Sequence, residues 1–290
     1  PAITENVRLA SEVRKIDAAI PLVWGGPHPT VVPNQAARHA MVDFACVGEG
    51  ERTALELTEA LKSGSDPAHI RGVAFEQDGE LFKTAEREFI ADWDQEVFLD
   101  WDLVDFERYV NQLGSSRNMP IITSRGCPYR CGFCYNLLVS KRKHRAWSAD
   151  RTIEELQKLI DRGITHVTFS DDNNLINKER FRRIVEFLAR AGVTWSGDNG
   201  FRVNAVSEED VRLFSETGCD HIAFGAESGS QRVLDMIDKD IKAEDILRGA
   251  RLLRRYGIGA KFSWMVGFPD ETAEDVTATL DIIDRINEIH

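Results

Sequence analysis

No apolar run in this 290-residue chain approaches the roughly 20 residues that a membrane-spanning helix needs. Basic residues are in the minority: 36 Lys and Arg stand against 48 Asp and Glu, a net charge of −12, which excludes the basic stripe of a nucleic-acid surface. Cysteine is scarce and odd in number, five in all, so a disulfide framework is excluded too. There is no second Cys-x-x-Cys, no His-x-x-x-His and no low-complexity tail. What remains is an acidic globular protein of one large or two medium domains. Its free thiols suit a reducing, oxygen-poor cytoplasm.

Three of those cysteines are crowded into one short run, Arg125-Gly-Cys127-Pro-Tyr-Arg-Cys131-Gly-Phe-Cys134. Three thiolates in one loop form a metal site short of one ligand. A structural zinc site is closed and requires a fourth protein ligand, which here only Cys46, Cys219 or a scattered histidine such as His144 could supply. An iron–sulfur cube normally takes four cysteines; with three, one iron keeps an open position for a small molecule. The cluster is the stronger reading, with a non-catalytic zinc-binding module as its rival from another class. Cys46 and Cys219 lie in apolar runs and read as buried small hydrophobes.

From about Pro120 onward the pattern alternates strand and helix. A strand over Pro120–Ser124 enters the cysteine loop. Ser148 caps a helix with Ile153, Leu156, Leu159 and Ile160 on one face, stopped at Gly163. The strand His166–Ser170 leads to a helix carrying Phe181, Ile184, Val185 and Leu188. A third unit runs from Val193 through a capping-box start at Ser207-Glu-Glu-Asp210. A fourth takes His221–Phe224 and a helix ending at Gly257, and a fifth takes Ala260–Val266 and a helix opened by Thr272. Five such βα units predict a parallel sheet curling toward a barrel, with the chemistry at the C-terminal strand ends. Polar residues follow the strands there: Asp171-Asp172-Asn173, Arg202 and Asn204, Glu227-Ser228, and Gly267-Phe268-Pro269. Each also has a plain reading as a cap or a turn. Trp195 and Trp264 fall on barrel strands, either lining the interior or packing the core.

On Cys127-x-x-x-Cys131-x-x-Cys134 after a first strand, with this rim behind it, the chain resembles the radical S-adenosylmethionine (radical SAM) superfamily. The resemblance implies a [4Fe-4S] cluster held by Cys127, Cys131 and Cys134, its open iron chelating SAM. Reductive cleavage would then give a 5′-deoxyadenosyl radical that attacks an unactivated carbon. It also implies that Phe133 flanks the adenine, that Asp171 or Asp172 reads the methionine amino group, that Arg202 and Glu227 meet SAM's carboxylate or ribose, and that Ser228 contacts SAM as well. Gly267 and Pro269 would border the adenine. Ser170-Asp-Asp stands where the family has Gly-Gly-Glu. An external electron donor of the flavodoxin or ferredoxin type is implied as well.

The first third carries a second pair of turns. Ile20-Pro-Leu-Val-Trp24 ends in Gly25-Gly26-Pro27-His28-Pro29-Thr30, and Val42–Val47 ends in Gly48-Glu49-Gly50-Glu51. Glycine turns after buried strands suit the ligand edge of a doubly wound sheet, or are turns and nothing more. Together they resemble the second half of the cobalamin-binding domain found upstream of one radical SAM subgroup, which includes methyltransferases and anaerobic porphyrin cyclases. That resemblance implies cobalamin contacts from Gly25, Gly26, His28, Pro29, Thr30, Gly48, Glu49 and Gly50. The expected fold is α/β: a partial (β/α) radical SAM barrel over 113–290, a connector over 67–112, and the C-terminal part of a doubly wound cobalamin-binding domain over 1–66. Pro1–Ile3 is expected as a loop after a missing strand, and the chain as a fragment of a longer enzyme. The implied substrate is a small or lipid-like molecule, open to methyl transfer or cyclisation, with a radical SAM enzyme that does not use cobalamin as the alternative.

Overall fold

The computed structural model describes residues 2–95, 99–113 and 116–289. By packing, the chain divides into two compact units, residues 1–92 and 93–290.

The first unit contains α1 (Ala2–Ile16), β1 (Val23–Trp24), α2 (Pro27–Val31), α3 (Pro33–Ala37), β2 (Phe44–Cys46), α4 (Glu51–Ser63), β3 (Val73–Gln77) and β4 (Glu80–Lys83). Its sheet has the order β1-β2-β3-β4, parallel between the first two strands and antiparallel after them. Ala2 and Ile3 open a helix, not the expected loop; Pro1 lies outside the described residues. Glu5–Arg8 and Glu12–Lys15 pairs support α1 along its exposed face. After Gly26 the chain forms two short helices rather than one, broken at Val32, because Pro33 has no N–H to continue the first. The connector expected over 67–112 is divided: its hairpin around Asp78-Gly79 pairs with β2, while the residues from 93 onward pack with the second unit.

The second unit begins with β5 (Asn111–Leu113), β6 (Ser116–Ile121), β7 (Ser124–Arg125), α5 (Asn136–Val139), β8 (Arg145–Ala146), α6 (Ala149–Asp161), β9 (His166–Phe169) and α7 (Lys178–Arg190). It continues through β10 (Thr194–Phe201), α8 (Glu208–Glu216), β11 (Cys219–Glu227), α9 (Gln231–Met236), α10 (Ala243–Arg255), β12 (Gly259–Trp264) and α11 (Ala273–Ile289). Strand order is β12-β11-β10-β9-β6-β5, with β6, β9, β10, β11 and β12 mutually parallel and β5 antiparallel at the edge. Five parallel strands in sequence order match the expected partial barrel. Ser148 caps α6, and Ser207 with Asp210 closes the capping box of α8.

Strand alternation sorts the two faces of this sheet. One face packs on helices through Phe169, Trp195, Ile222 and Phe224, all essentially inaccessible. Phe181 of α7 meets Phe169, Trp195, Phe201 and Phe214 edge-on at 5.3–6.0 Å. Trp195 is therefore a core residue, its indole N–H donating to Thr217 Oγ1 at 3.2 Å, and Trp264 packs on the same core. The opposite face is polar. Thr168 donates to Asn118 and hydrogen-bonds Ser196, and His166 bridges Thr194 and Ser196 at 2.7 and 3.0 Å. Burial pushes the His166 pKa down, so this ring is held neutral. Further along that face, Asp198 accepts from His221 and Lys261.

Candidate functional site

The cysteine loop leaves β6 and is fixed to the end of β9. Asp171, fully buried, accepts at Oδ1 from the Thr123 backbone N–H (3.0 Å), the Thr123 hydroxyl (2.9 Å) and the Ser124 hydroxyl (2.5 Å). Burial raises its pKa, and those donors oppose the rise. Arg180, at the start of α7, completes the knot by donating to Thr123, Thr152 and the Trp147 carbonyl. Asp172 accepts from the Gly126 N–H at 2.7 Å. Both aspartates thus grip the backbone just ahead of Cys127. Neither caps the next helix, whose N-cap is Asn177.

Gly126 makes this grip possible. Its φ is +87°, and a Cβ there would sit 2.1 Å from the Lys143 carbonyl oxygen. A left-handed non-glycine residue alone costs about 1–3 kcal/mol, and the overlap adds to that. Gly126→Ala is expected to displace the loop and to lower iron and sulfide content per chain in the reconstituted full-length protein. Gly132→Ala is the control, because its nearest non-neighbour is 3.8 Å away. Equal metal content in the two variants would refute the role given to Gly126.

On its far side the loop rests on the turn after α9, where the Gly132 N–H donates to the Ile237 carbonyl at 2.8 Å. That turn contains two left-handed non-glycine residues, Asp238 and Asp240. Arg202 donates to the Lys239 carbonyl, to the Asp240 carbonyl at 3.1 Å and to Cys131 Sγ at 3.6 Å, and stacks over Tyr129 at 3.7 Å. Among the described residues its buried Nε has no hydrogen-bond partner. Asn173 donates to Cys127 Sγ at 3.8 Å. Burial, followed by the negative charge of Cys131, Cys127 and Asp172, pushes the Cys134 thiol up, against a backbone N–H from Asn136. A bound cation reverses such a balance and draws thiols to thiolates. Among the described residues no three His, Cys, Asp or Glu side chains converge as ligands of a single ion. Three free thiols spread over one loop, two of them met by a side-chain N–H, fit the wider face of a cluster.

Glu227 ends β11 at a register break with φ +64°, and its Oε1 accepts from Lys239 Nζ at 2.7 Å, both side chains buried. Gly225 leaves the room, since a Cβ there would lie 2.4 Å from Glu227 Oε1. The Lys239 ammonium lies 5.6 Å from the centre of Phe133, and Phe133 pairs with Phe268 at 6.0 Å. Phe133, Glu227 and the Gly267–Pro269 turn, expected together, do gather here, with Gly267 and Pro269 exposed. Ser228 is fully buried instead. Its hydroxyl meets Thr279 and accepts from the Ser230 N–H, which makes it a turn residue. Lys239 and Tyr129 were not foreseen, and Asn173 was expected at the rim but without a role. Lys239 stands twelve residues beyond its partner, with no pattern to join them.

The sequence profile of the radical SAM superfamily matches residues 121–283. The chain belongs to the radical SAM superfamily. An uncharacterised methyltransferase of Pyrococcus horikoshii is 31% identical over 99% of this chain. The anaerobic magnesium-protoporphyrin IX monomethyl ester cyclase of Rubrivivax gelatinosus is 28% identical over 96%. The chain spans 62% and 51% of those relatives' own lengths. Among solved structures, the radical SAM methyltransferase TsrM of Kitasatospora setae, with cobalamin and a [4Fe-4S] cluster bound, superposes with a TM-score of 0.77 over 99% of this chain and 57% of its own, at 19% identity. The cobalamin-dependent enzyme OxsB gives 0.76 over 97% of this chain and 41% of its own, at 21% identity. At those identities the likeness is one of fold.

In the first unit, Thr30 joins the two glycine turns: its hydroxyl donates to the Gly26 carbonyl at 2.8 Å and accepts from the Gly48 N–H at 3.0 Å. Gly26 (φ +95°) and Gly48 (φ +87°) have open space where a Cβ would stand. A pocket of about 320 Å³ is lined by Leu9, Leu22, Trp24, Gly25, His28 and Pro29. Glu49 faces the chain, accepting from the Ile90 N–H at 2.8 Å, and Gly50 lies close to Cys46. Among the described residues no helix is long and apolar enough to cross a membrane.

Proposed function

We propose that this chain forms part of a cobalamin-dependent radical SAM enzyme acting on a small-molecule substrate, by methyl transfer or cyclisation at an unactivated carbon. The observation that carries the reading is the loop of Cys127, Cys131 and Cys134, anchored at its entry and its middle, with a side-chain N–H directed at two of the three sulfurs. These cysteines would hold a [4Fe-4S] cluster. When bound, it supplies the electron that cleaves SAM to methionine and a 5′-deoxyadenosyl radical, drawn from a flavodoxin- or ferredoxin-type donor.

The remaining work belongs to this chain's residues. Phe133 and Phe268 present an apolar edge for the adenine, and Lys239 and Glu227 offer a charged pair beside it for SAM's polar groups. Arg202 Nε, buried and without a partner among the described residues, is left for the same ligand. Asp171 and Asp172 act on the loop, holding it still. In the first unit Gly25, Gly26, His28, Pro29, Thr30 and Gly48 offer the bare backbone and pocket that suit a corrin and its tail.

The deciding experiment is anaerobic reconstitution of the full-length protein with hydroxocobalamin. Corrin absorbance is expected to survive desalting; its absence would leave a radical SAM enzyme without cobalamin. In turnover, one equivalent each of methylated product, 5′-deoxyadenosine and S-adenosylhomocysteine supports methyl transfer, and persistent absence of S-adenosylhomocysteine sinks it.

A further inference from the structure

Two sulfurs of the cysteine loop receive an N–H, each from the end of a different strand. Cys127 takes the side-chain amide of Asn173, beyond β9, at 3.8 Å. Cys131 takes Nη1 of Arg202, beyond β10, at 3.6 Å. Both donors are side chains, free to differ without any change in the ligands themselves. We infer that Asn173 and Arg202 set the reduction potential of the cluster. This rests on the reading that the three cysteines hold one.

Both donors are held in place by other bonds. The Asn173 carbonyl oxygen accepts from the Leu175 N–H at 3.2 Å, which turns the amide nitrogen toward the sulfur. Arg202 lies over Tyr129 at 3.7 Å, and its Nη2 is occupied by the Lys239 and Asp240 carbonyls, leaving Nη1 for Cys131. A guanidinium keeps its charge at every physiological pH. One-electron reduction adds negative charge to the cluster and its thiolates. An N–H dipole or a cation aimed at sulfur stabilises the reduced form more than the oxidised one, so each raises the potential. That brings the couple within range of a flavodoxin- or ferredoxin-type donor, with one electron transferred and no proton. Arg202 contributes the larger effect, through charge as well as hydrogen bonding, and acts on the cluster rather than chiefly on SAM.

The test is an EPR-monitored redox titration of the reconstituted full-length holoenzyme, anaerobic and without SAM. Asn173→Ala is expected to shift the midpoint negative, and Arg202→Gln to shift it further, with Arg202→Lys between wild type and Arg202→Gln. SAM cleavage driven by flavodoxin should fall in the same order and recover with titanium(III) citrate, which a purely structural defect would not do. Midpoints equal to wild type at full iron and sulfide content overturn the inference. So does loss of the cluster from Asn173→Ala, a neutral change, because it makes that side chain a structural support. Should Arg202→Gln fail to fold, Asn173→Ala alone decides. A wild-type protein without four irons would instead overturn the proposed function.

Discussion

Cys131→Ala in the full-length enzyme is expected to lose both the brown chromophore and SAM cleavage, the latter to background. Cys131 is the most deeply placed of the three, buried where Cys127 and Cys134 are partly open, and it faces the Arg202 guanidinium. Alanine leaves that cation without its sulfur and the cluster with two protein ligands, too few to hold an iron–sulfur cube. Cys46→Ala and Cys219→Ala are the matched controls. Both thiols are buried, and burial pushes their pKa up, so they stay protonated and inert. Iron and sulfide analysis after anaerobic purification, with 5′-deoxyadenosine as product, reads out all three variants. Undiminished cleavage by Cys131→Ala contradicts the ligand assignment, and one zinc per chain without sulfide ends the radical reading.

Lys239→Met is expected to destabilise the protein by about 3–5 kcal/mol, because it strands the Glu227 carboxylate in a buried position. Glu227→Gln should also be costly, since it strands the ammonium. The double variant, Glu227→Gln with Lys239→Met, removes both charges together and is expected to recover much of the loss, because a buried ion pair replaced by apolar or neutral groups is often near neutral. Denaturant unfolding of the four proteins gives the coupling directly. Additive losses would show that the pair does not act as a unit. Function should not follow stability here. The double variant regains its fold but not its affinity for SAM, since the pair borders the exposed Phe133–Phe268 edge.

The fold was legible in this sequence wherever periodicity and punctuation agree. Phe181, Ile184, Val185 and Leu188 lie on one buried stripe of α7, as their spacing requires, and Ser148 and Ser207 cap where a side-chain oxygen can reach the first free N–H groups. Short elements were less legible. The α2–α3 break depends on the single residue Pro33, and α1 gains from local charge pairs with few buried residues to mark it. Within the site, the cysteines could be read because their chemistry is in their spacing. Asp171 and Ser228 were assigned by analogy to ligand contact, yet both point into the protein, which only the packing of Thr123 and Thr279 reveals. Lys239 was invisible because the turn that presents it contains two aspartates in left-handed conformation, where sequence patterns lead one to expect glycine.

The double anchoring of the cysteine loop bears on how the metal is acquired. Asp171 and Asp172 hold its entry and Ile237 its middle, through bonds that need no metal. In a zinc finger the free energy of binding is largely the free energy of folding. Here the ordering entropy of the loop is met when the barrel folds, so cluster loading resembles docking into a finished receptor. Such a protein can lose its cluster to oxygen, keep its shape, and be loaded again.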